Sequence, residues 1–444
     1  MKSTWMLLLA APWLMAADQA PGPGPLPLSL KRAVEVAIAP EGSAKIQLAD
    51  EALKQAQARS AQARAALLPD LESSFRYSSQ TMSLAGEGLS AAFQIPGFQL
   101  PTRIGPFDVM DARATAQQSV FDFSSIRRFQ ASKVGVSASK SDLEASSEQV
   151  AAQVARAYLE AVKGDTDVET AEANITLSEA TLTQAENQKN AGTGTGIEIT
   201  RAKVQLANDR QRLVSAKNAR RAAHLQLLRA MGMRLDAELE LTDKLQYVAM
   251  DAVTLEAAKA MALKERPDYQ AQRQKESTAR LSASATTLER LPTVAASADY
   301  GSIGPGLNNA IPTYSYGMSI RVPVFDGGRR DARRVESDSE YRAEKVKTGD
   351  LRQQIELDVR LALDSLNATA EEVQVAKDGL ELAGSELTQA RRRYEGGVAN
   401  SLEVTDAQTR LERARDNQTG ALYSYNLARI DLAQAMGKVR SLVQ

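Results

Sequence analysis

The chain has 444 residues, a formal net charge of −1, no cysteine and a single histidine, His224. Without cysteine there are no disulfides, thiolate metal sites or cysteine nucleophiles, and one histidine leaves no His-rich metal site. The balanced charge argues against a nucleic-acid partner, which usually meets a basic excess.

At the N-terminus, Lys2, an apolar run from Trp5 to Met15 and the small residues Ala16 and Ala17 read as a signal peptide over residues 1–17, cut after Ala16 or Ala17. With no cysteine after the run, a lipid anchor through Cys is not expected. No later stretch approaches the about 20 uncharged apolar residues of a membrane helix, so any membrane insertion has to be as a β-barrel. Residues 18–27, rich in Pro and Gly, read as an extended linker.

The rest of the chain contains itself twice. A shift of 205 residues carries Leu182-Thr183-Gln184-Ala185 onto Leu387-Thr388-Gln389-Ala390, Gly192 onto Gly397, and Ala230-Met231-Gly232 onto Ala435-Met436-Gly437. Val120-Phe121-Asp122 likewise matches Val324-Phe325-Asp326, and Leu68-Pro69 matches Leu291-Pro292. The repeats are placed at 28–232 and 253–437, with a connecting segment at 233–252 and a tail at 438–444. None of the 15 prolines lies between Phe107 and Arg266, or between Val324 and Gln444. Proline interrupts helix interiors, so each repeat has room for one long helix, Ser125–Asn190 and Gly328–Glu395. At about 1.5 Å per residue each would reach roughly 100 Å. Along the second, Leu366, Val373, Leu380, Leu387 and Tyr394 recur every seventh residue, alternating with Ala362, Thr369, Ala376, Ala383 and Ala390. Val154, Ala161, Val168, Ile175 and Leu182 form the matching row of the first, with Ala157, Gly164, Ala171, Ser178 and Ala185 between them. A sustained seven-residue period specifies coiled-coil packing, and the row of small residues lets helices approach closely.

Between each Leu-Pro and its Val-Phe-Asp the period changes to two. Leu71, Ser73, Phe75 and Tyr77 alternate with Glu72, Ser74, Arg76 and Ser78; Val294, Ala296, Ala298 and Tyr300 alternate with Thr293, Ala295, Ser297 and Asp299; and Tyr314, Tyr316, Met318, Ile320 and Val322 alternate with Thr313, Ser315, Gly317, Ser319 and Arg321, while Val109 to Val120 is a weaker case. The strands are placed at about 71–82, 108–121, 293–303 and 313–325. Apolar-out alternation with aromatic residues suits a lipid-facing sheet. Four strands are too few to close a barrel, whose practical minimum is about eight, so several chains would have to share one. The loops 81–107 and 302–312 would then face outside.

This order, with Val-Pro-Val-Phe-Asp-Gly-Gly at 322–328 and Arg-Tyr-Glu-Gly-Gly-Val-Ala-Asn-Ser-Leu-Glu-Val-Thr-Asp-Ala-Gln at 393–408, resembles the TolC-like outer-membrane efflux protein family over about residues 28–437. The resemblance implies a mainly α fold with a small transmembrane β part. It implies a homotrimer in which coiled-coil helices form an α-barrel under a shared 12-stranded β-barrel. It further implies residence in the outer membrane of a Gram-negative-type bacterium, a periplasmic tunnel, a periplasmic adaptor (membrane fusion) protein and an inner-membrane pump of RND, ABC or MFS type. The function implied is a passive conduit for small molecules in a tripartite efflux system, with no enzymatic step, cofactor or metal. The channel of a type I protein secretion system is the alternative, and a periplasmic coiled-coil scaffold a more distant one.

By the same resemblance, Glu403 and Asp406 match an acidic ring at the tunnel entrance. Tyr394 and Glu198 match gate positions. Gly192, Thr193 and Gly194, with Gly396, Gly397 and Val398, occupy the two tips that would meet the adaptor. The family's gate arginine falls at Ala399, so that ion-pair latch is expected to be missing or rebuilt, with Arg391, Arg392 and Arg393 as the nearby cations.

Overall fold

The computed structural model describes residues 26–84, 86, 101–250 and 253–443. The predicted signal peptide, nearly all of the linker and most of the 81–107 loop lie outside the described residues. In chain order the elements are β1 (Leu26–Leu28), α1 (Leu30–Ile38), α2 (Ala44–Ala65), β2 (Asp70–Ser83), β3 (Arg103–Phe121), α3 (Phe123–Asn190), α4 (Gly196–Met231) and β4 (Leu239–Leu241). There follow α5 (Leu255–Glu265), α6 (Pro267–Leu288), β5 (Thr293–Gly304), β6 (Ile311–Arg321), α7 (Arg329–Glu395), α8 (Ser401–Ala435) and α9 (Val439–Val443). No described helix is long and apolar enough to cross a membrane.

Each Val-Phe-Asp is a strand-to-helix joint. Asp122 accepts the N–H groups of Ser124 (2.9 Å) and Ser125 (3.2 Å), satisfying donors that the first turn of α3 leaves unpaired. Asp326 does the same for the Arg330 N–H (3.2 Å) at the start of α7. Strand β6 stops at Arg321 rather than at 325, because Pro323 has no N–H for a ladder. Strand β3 starts at Arg103, earlier than its alternation suggests, with Pro106 tolerated where its register against β2 shifts between Gln80 and Met82.

The chain divides into two compact units. One comprises Ile38–Gln153, Val248–Gln374 and Leu427–Gln444. It holds an antiparallel sheet in the order β2-β3-β5-β6, whose outer strands β2 and β6 have no further neighbour among the described residues. The register sorts the sheet into two faces. One cross-strand row reads Leu71–Ala116–Ala298–Tyr316 and the next Ser73–Ala114–Tyr300–Tyr314. The opposite face reads Glu72–Thr115–Asp299–Ser315 and Ser74–Arg113–Gly301–Thr313. The apolar face is uncovered: Leu71 is 78% and Tyr316 82% exposed.

On the polar face Arg113 Nε lies 2.9 Å from Asp111 Oδ1 and Nη1 lies 3.1 Å from Asp299 Oδ1; Asp299 also accepts the Ser315 hydroxyl. These bonds tie three strands together. A Cβ on Gly301 would overlap the Cβ of Arg113 and the Ala112 carbonyl oxygen. Gly301→Val is therefore expected to displace Arg113 and destabilise the sheet by about 1–3 kcal/mol per chain. Heat dissociation of the assembled protein, followed on semi-native gels, checks this.

Below the sheet, Ala258 and Ala262 of α5 pack with Ile355, Val359 and Ala362 of α7 and with Leu432, Ala435 and Met436 of the α8 end. Arg266, at the joint between α5 and α6, is largely buried beside this core. Its guanidinium grips Asp268 at 3.1 and 2.7 Å and reaches Asp358 of α7 at 2.9 Å.

The other unit comprises Met1–Ala37, Val154–Tyr247 and Val375–Asn426. Its helices follow the seven-residue rows. Val154, Ala161, Val168, Ala171, Ser178 and Ala185 of α3 are buried, as are Leu387, Ala390 and Tyr394 of α7. Gly164 permits close approach, since a Cβ there would lie 3.1 Å from Arg220 Cα of α4. Strands β1 and β4 pair in parallel. Buried Tyr158 of α3 fastens them, its hydroxyl lying 2.9 Å from the Leu28 carbonyl and 2.8 Å from Asp243 Oδ2. Burial, and then the neighbouring Asp243 carboxylate, push this phenol well above its ordinary value.

Candidate functional site

The two tips are built alike. Helix α3 ends at Gly192, whose N–H bonds the Lys189 carbonyl (3.0 Å) while Thr193 N–H reaches Gln188 (3.0 Å). Helix α7 ends at Gly397 with the same pair, Gly397 to Tyr394 (3.1 Å) and Val398 to Arg393 (3.0 Å). Both glycines take the left-handed conformation that closes this helix end, at φ 74° and 70°, where a side chain would be strained. Gly192, Thr193, Gly396, Gly397 and Val398 are exposed and Gly194 half-buried, so both turns present backbone and small side chains to solvent.

The return helices are capped by different side chains. Glu198 accepts the Thr195 N–H at 2.9 Å at the start of α4. At the start of α8, Asn400 Oδ1 accepts the N–H groups of Leu402 (3.1 Å) and Glu403 (3.2 Å). An Asn or Thr before a helix is legible as a cap in sequence, and the helix N-terminus adds a partial positive charge that favours Glu198 and Glu403 in the first turn.

Glu403 is half-buried and Asp406 exposed. Arg393 Nε lies 3.1 Å from Glu403 Oε1, so one of the three consecutive arginines closes an ion pair across its own hairpin. Ala399 carries no such partner. Tyr394 packs with Leu387, Ala390, Val404, Ala407 and Leu411, and its hydroxyl has no hydrogen-bond partner among the described residues. Burial, and then the Glu198 charge, hold that phenol above its ordinary value. The predicted gate pair is thus brought within electrostatic reach across the two repeats, while the Glu198 carboxylate caps its own helix. The Ser401 hydroxyl beside them is likewise buried and unpartnered.

Sequence reading missed a second set, deeper in the same unit. Asp209 of α4 is 1% and Glu412 of α8 2% exposed, far below what an unpaired carboxylate tolerates. Asn174 and Thr181 of α3, and Ser178 on its small-residue row, are polar and buried, but a seven-residue count weighs apolar and small character and does not mark them. His224 lies 3.1 Å from Asp165, which Arg220 also holds (2.5 Å), so the single histidine serves in packing α4 on α3.

Among the described residues, a four-stranded sheet with one uncovered apolar face and two open edges, joined to long paired helices, is the arrangement of a protein that enters a membrane through strands. Residues 38–233 and 260–438 match the model of the outer membrane efflux protein family. The chain belongs to that family and is a TolC-like protein of the outer membrane. It is 23% identical over 407 residues to the pyoverdine export outer membrane protein OpmQ of Pseudomonas putida, covering 90% of this chain and 84% of that one. It is 22% identical over 327 residues to the alkaline protease secretion protein AprF of Pseudomonas aeruginosa, covering 72% and 68%. Among solved structures, the Campylobacter jejuni CmeC outer membrane channel superposes with a TM-score of 0.80 at 16% identity, covering 92% of this chain and 85% of that one.

Proposed function

We infer that three copies of this chain close their sheets into one 12-stranded barrel and their helices into one tunnel. The assembly is a passive conduit that carries small molecules from an inner-membrane pump, through a periplasmic adaptor seated on the helical tips, to the exterior. The observation that carries this reading is the sheet: an uncovered aromatic face and two unpaired edges are tolerable in lipid only if neighbouring chains supply the missing strands. Glu403 and Asp406, three residues apart on α8, then repeat around the threefold axis as six carboxylates at the entrance. No step requires a catalytic group or a cofactor.

The test is fractionation followed by reconstitution. The protein should leave outer membranes only in detergent, run as a trimer and form pores in planar bilayers; release by a carbonate wash would overturn the reading. Export of protein rather than small molecules is a second reading, favoured by the likeness to AprF. Deletion of the gene separates the two: loss of resistance to small toxic compounds supports efflux, and retention of a secreted protein supports secretion.

A further inference from the structure

Helices α3, α4 and α8 meet through a buried polar layer. Ser178 Oγ donates to Asp209 Oδ2 (2.5 Å), Gln205 Nε2 lies 3.1 Å from Asp209 Oδ1 and 3.2 Å from Glu412 Oε1, and Arg212 holds the other oxygen of Glu412. Gln408 of α8 donates to Thr181 of α3 (2.5 Å), and Arg415 of α8 donates to Asn174 of α3 (2.6 Å). Two carboxylates thus share one amide. The cation that reaches this pair, Arg212, is itself 56% exposed, so water screens much of its charge. Asp416 follows on α8, where Lys163 and Asp167 of α3 act on it. Helix α7 contributes Glu386, which Arg410 takes up at the surface.

In such a layer each negative charge is costly, because burial removes its hydration and the second carboxylate repels it. A proton on Glu412 removes one buried charge and its repulsion of Asp209. We propose that this layer is a proton-operated clasp, binding α8 to the α3–α4 pair more tightly in acid and loosening as the pH rises. The electrostatics agree in sign. Burial, and then Asp209, hold the Glu412 carboxyl above the usual carboxylate range against the opposing pull of Arg212. Burial also raises Asp416. A carboxyl raised by packing means that the packed state binds the proton more tightly, so packing gains as pH falls and is lost as pH climbs through that raised value. The clasp does not depend on the transport reading, since helix opening can be measured whether or not the protein conducts.

The test is hydrogen exchange by mass spectrometry on the full-length protein in detergent, following residues 401–418 at pH 5 and pH 8, with rates corrected for intrinsic chemistry. Corrected exchange is expected to be about three- to tenfold slower at pH 5 in the wild type. In Glu412→Gln this step should vanish and protection should stay high at both pH values. If Glu412→Gln does not fold, Asp209→Asn carries a graded form of the test: with the repelling charge gone, burial alone raises Glu412 and the step should shrink. The entrance variant E403Q/D406N should keep the step. Equal exchange at both pH values in the wild type, a step that survives in Glu412→Gln, an undiminished step in Asp209→Asn, or a step abolished by E403Q/D406N, overturns the proposal.

Discussion

Arg266→Ala is expected to lower the stability of the sheet-bearing unit by about 2–4 kcal/mol. The side chain of Arg266 is only 13% exposed. Burial works against its charge, and hydrogen bonds to Asp268 and Asp358 more than offset that cost, holding the guanidinium firmly protonated. Truncation leaves both carboxylates without this cation and removes the tie from the α5–α6 joint to Asp358 of α7. It also opens a void at the helix end, where a Cβ on Gly437 would lie 3.0 Å from Arg266 Cγ. Arg266→Lys should recover little, since an ammonium cannot make the two-pronged contact with Asp268 while reaching Asp358. Thermal unfolding followed by circular dichroism checks both variants; an unchanged transition in Arg266→Ala would refute the assignment.

Glu403→Ala combined with Asp406→Ala is expected to weaken block of the channel by multivalent cations by at least about a hundredfold. At about 6 Å in water, one carboxylate and a trivalent ion attract by about 2 kcal/mol, and physiological salt removes roughly half of that. In the proposed trimer six such groups surround one axis and together contribute more than about 3 kcal/mol, so losing them should weaken block by at least about a hundredfold. The Arg393–Glu403 pair supplies a prediction of opposite sign. Arg393→Ala removes a cation 3.1 Å from Glu403 and should strengthen block several-fold. Conductance traces in planar bilayers, titrated with a multivalent cation from the helical side, measure both. Unchanged block in the double variant would remove Glu403 and Asp406 from the entrance, and weaker block in Arg393→Ala would place that arginine away from the permeation path.

Much of this was legible before any coordinates. Leu71, Phe75, Tyr314 and Tyr316 announce their common face because side chains on a strand alternate with a period of two. Leu387, Ala390 and Tyr394 announce theirs because a seven-residue row stays on one side of a helix that winds around a neighbour. Gly192 and Gly397 mark the tips because few other residues take their backbone conformation. Arg393 was one of three candidates, and consecutive arginines on a helix cannot be told apart by spacing. The Asp209–Glu412 layer was silent for a related reason: the partners lie about 200 residues apart and occupy unmatched positions in the two repeats, so neither periodicity nor the repeat alignment points to them.

The sequence by itself determined the long helices, the four strands of the sheet and their duplication, because secondary structure follows from local periodicity, caps and prolines that each segment carries within itself; the short β1–β4 pair, three residues a side, is too brief to show a period. It also determined that the sheet has one apolar face. Which side chains meet across helices was decided only by the tertiary structure. Contacts such as Arg393–Glu403, Gln205–Glu412 and Arg266–Asp358 depend on the rotation and offset of one helix against another. Those offsets follow from the packing of the whole unit, where Gly164 draws α3 and α4 together, and no local pattern encodes them.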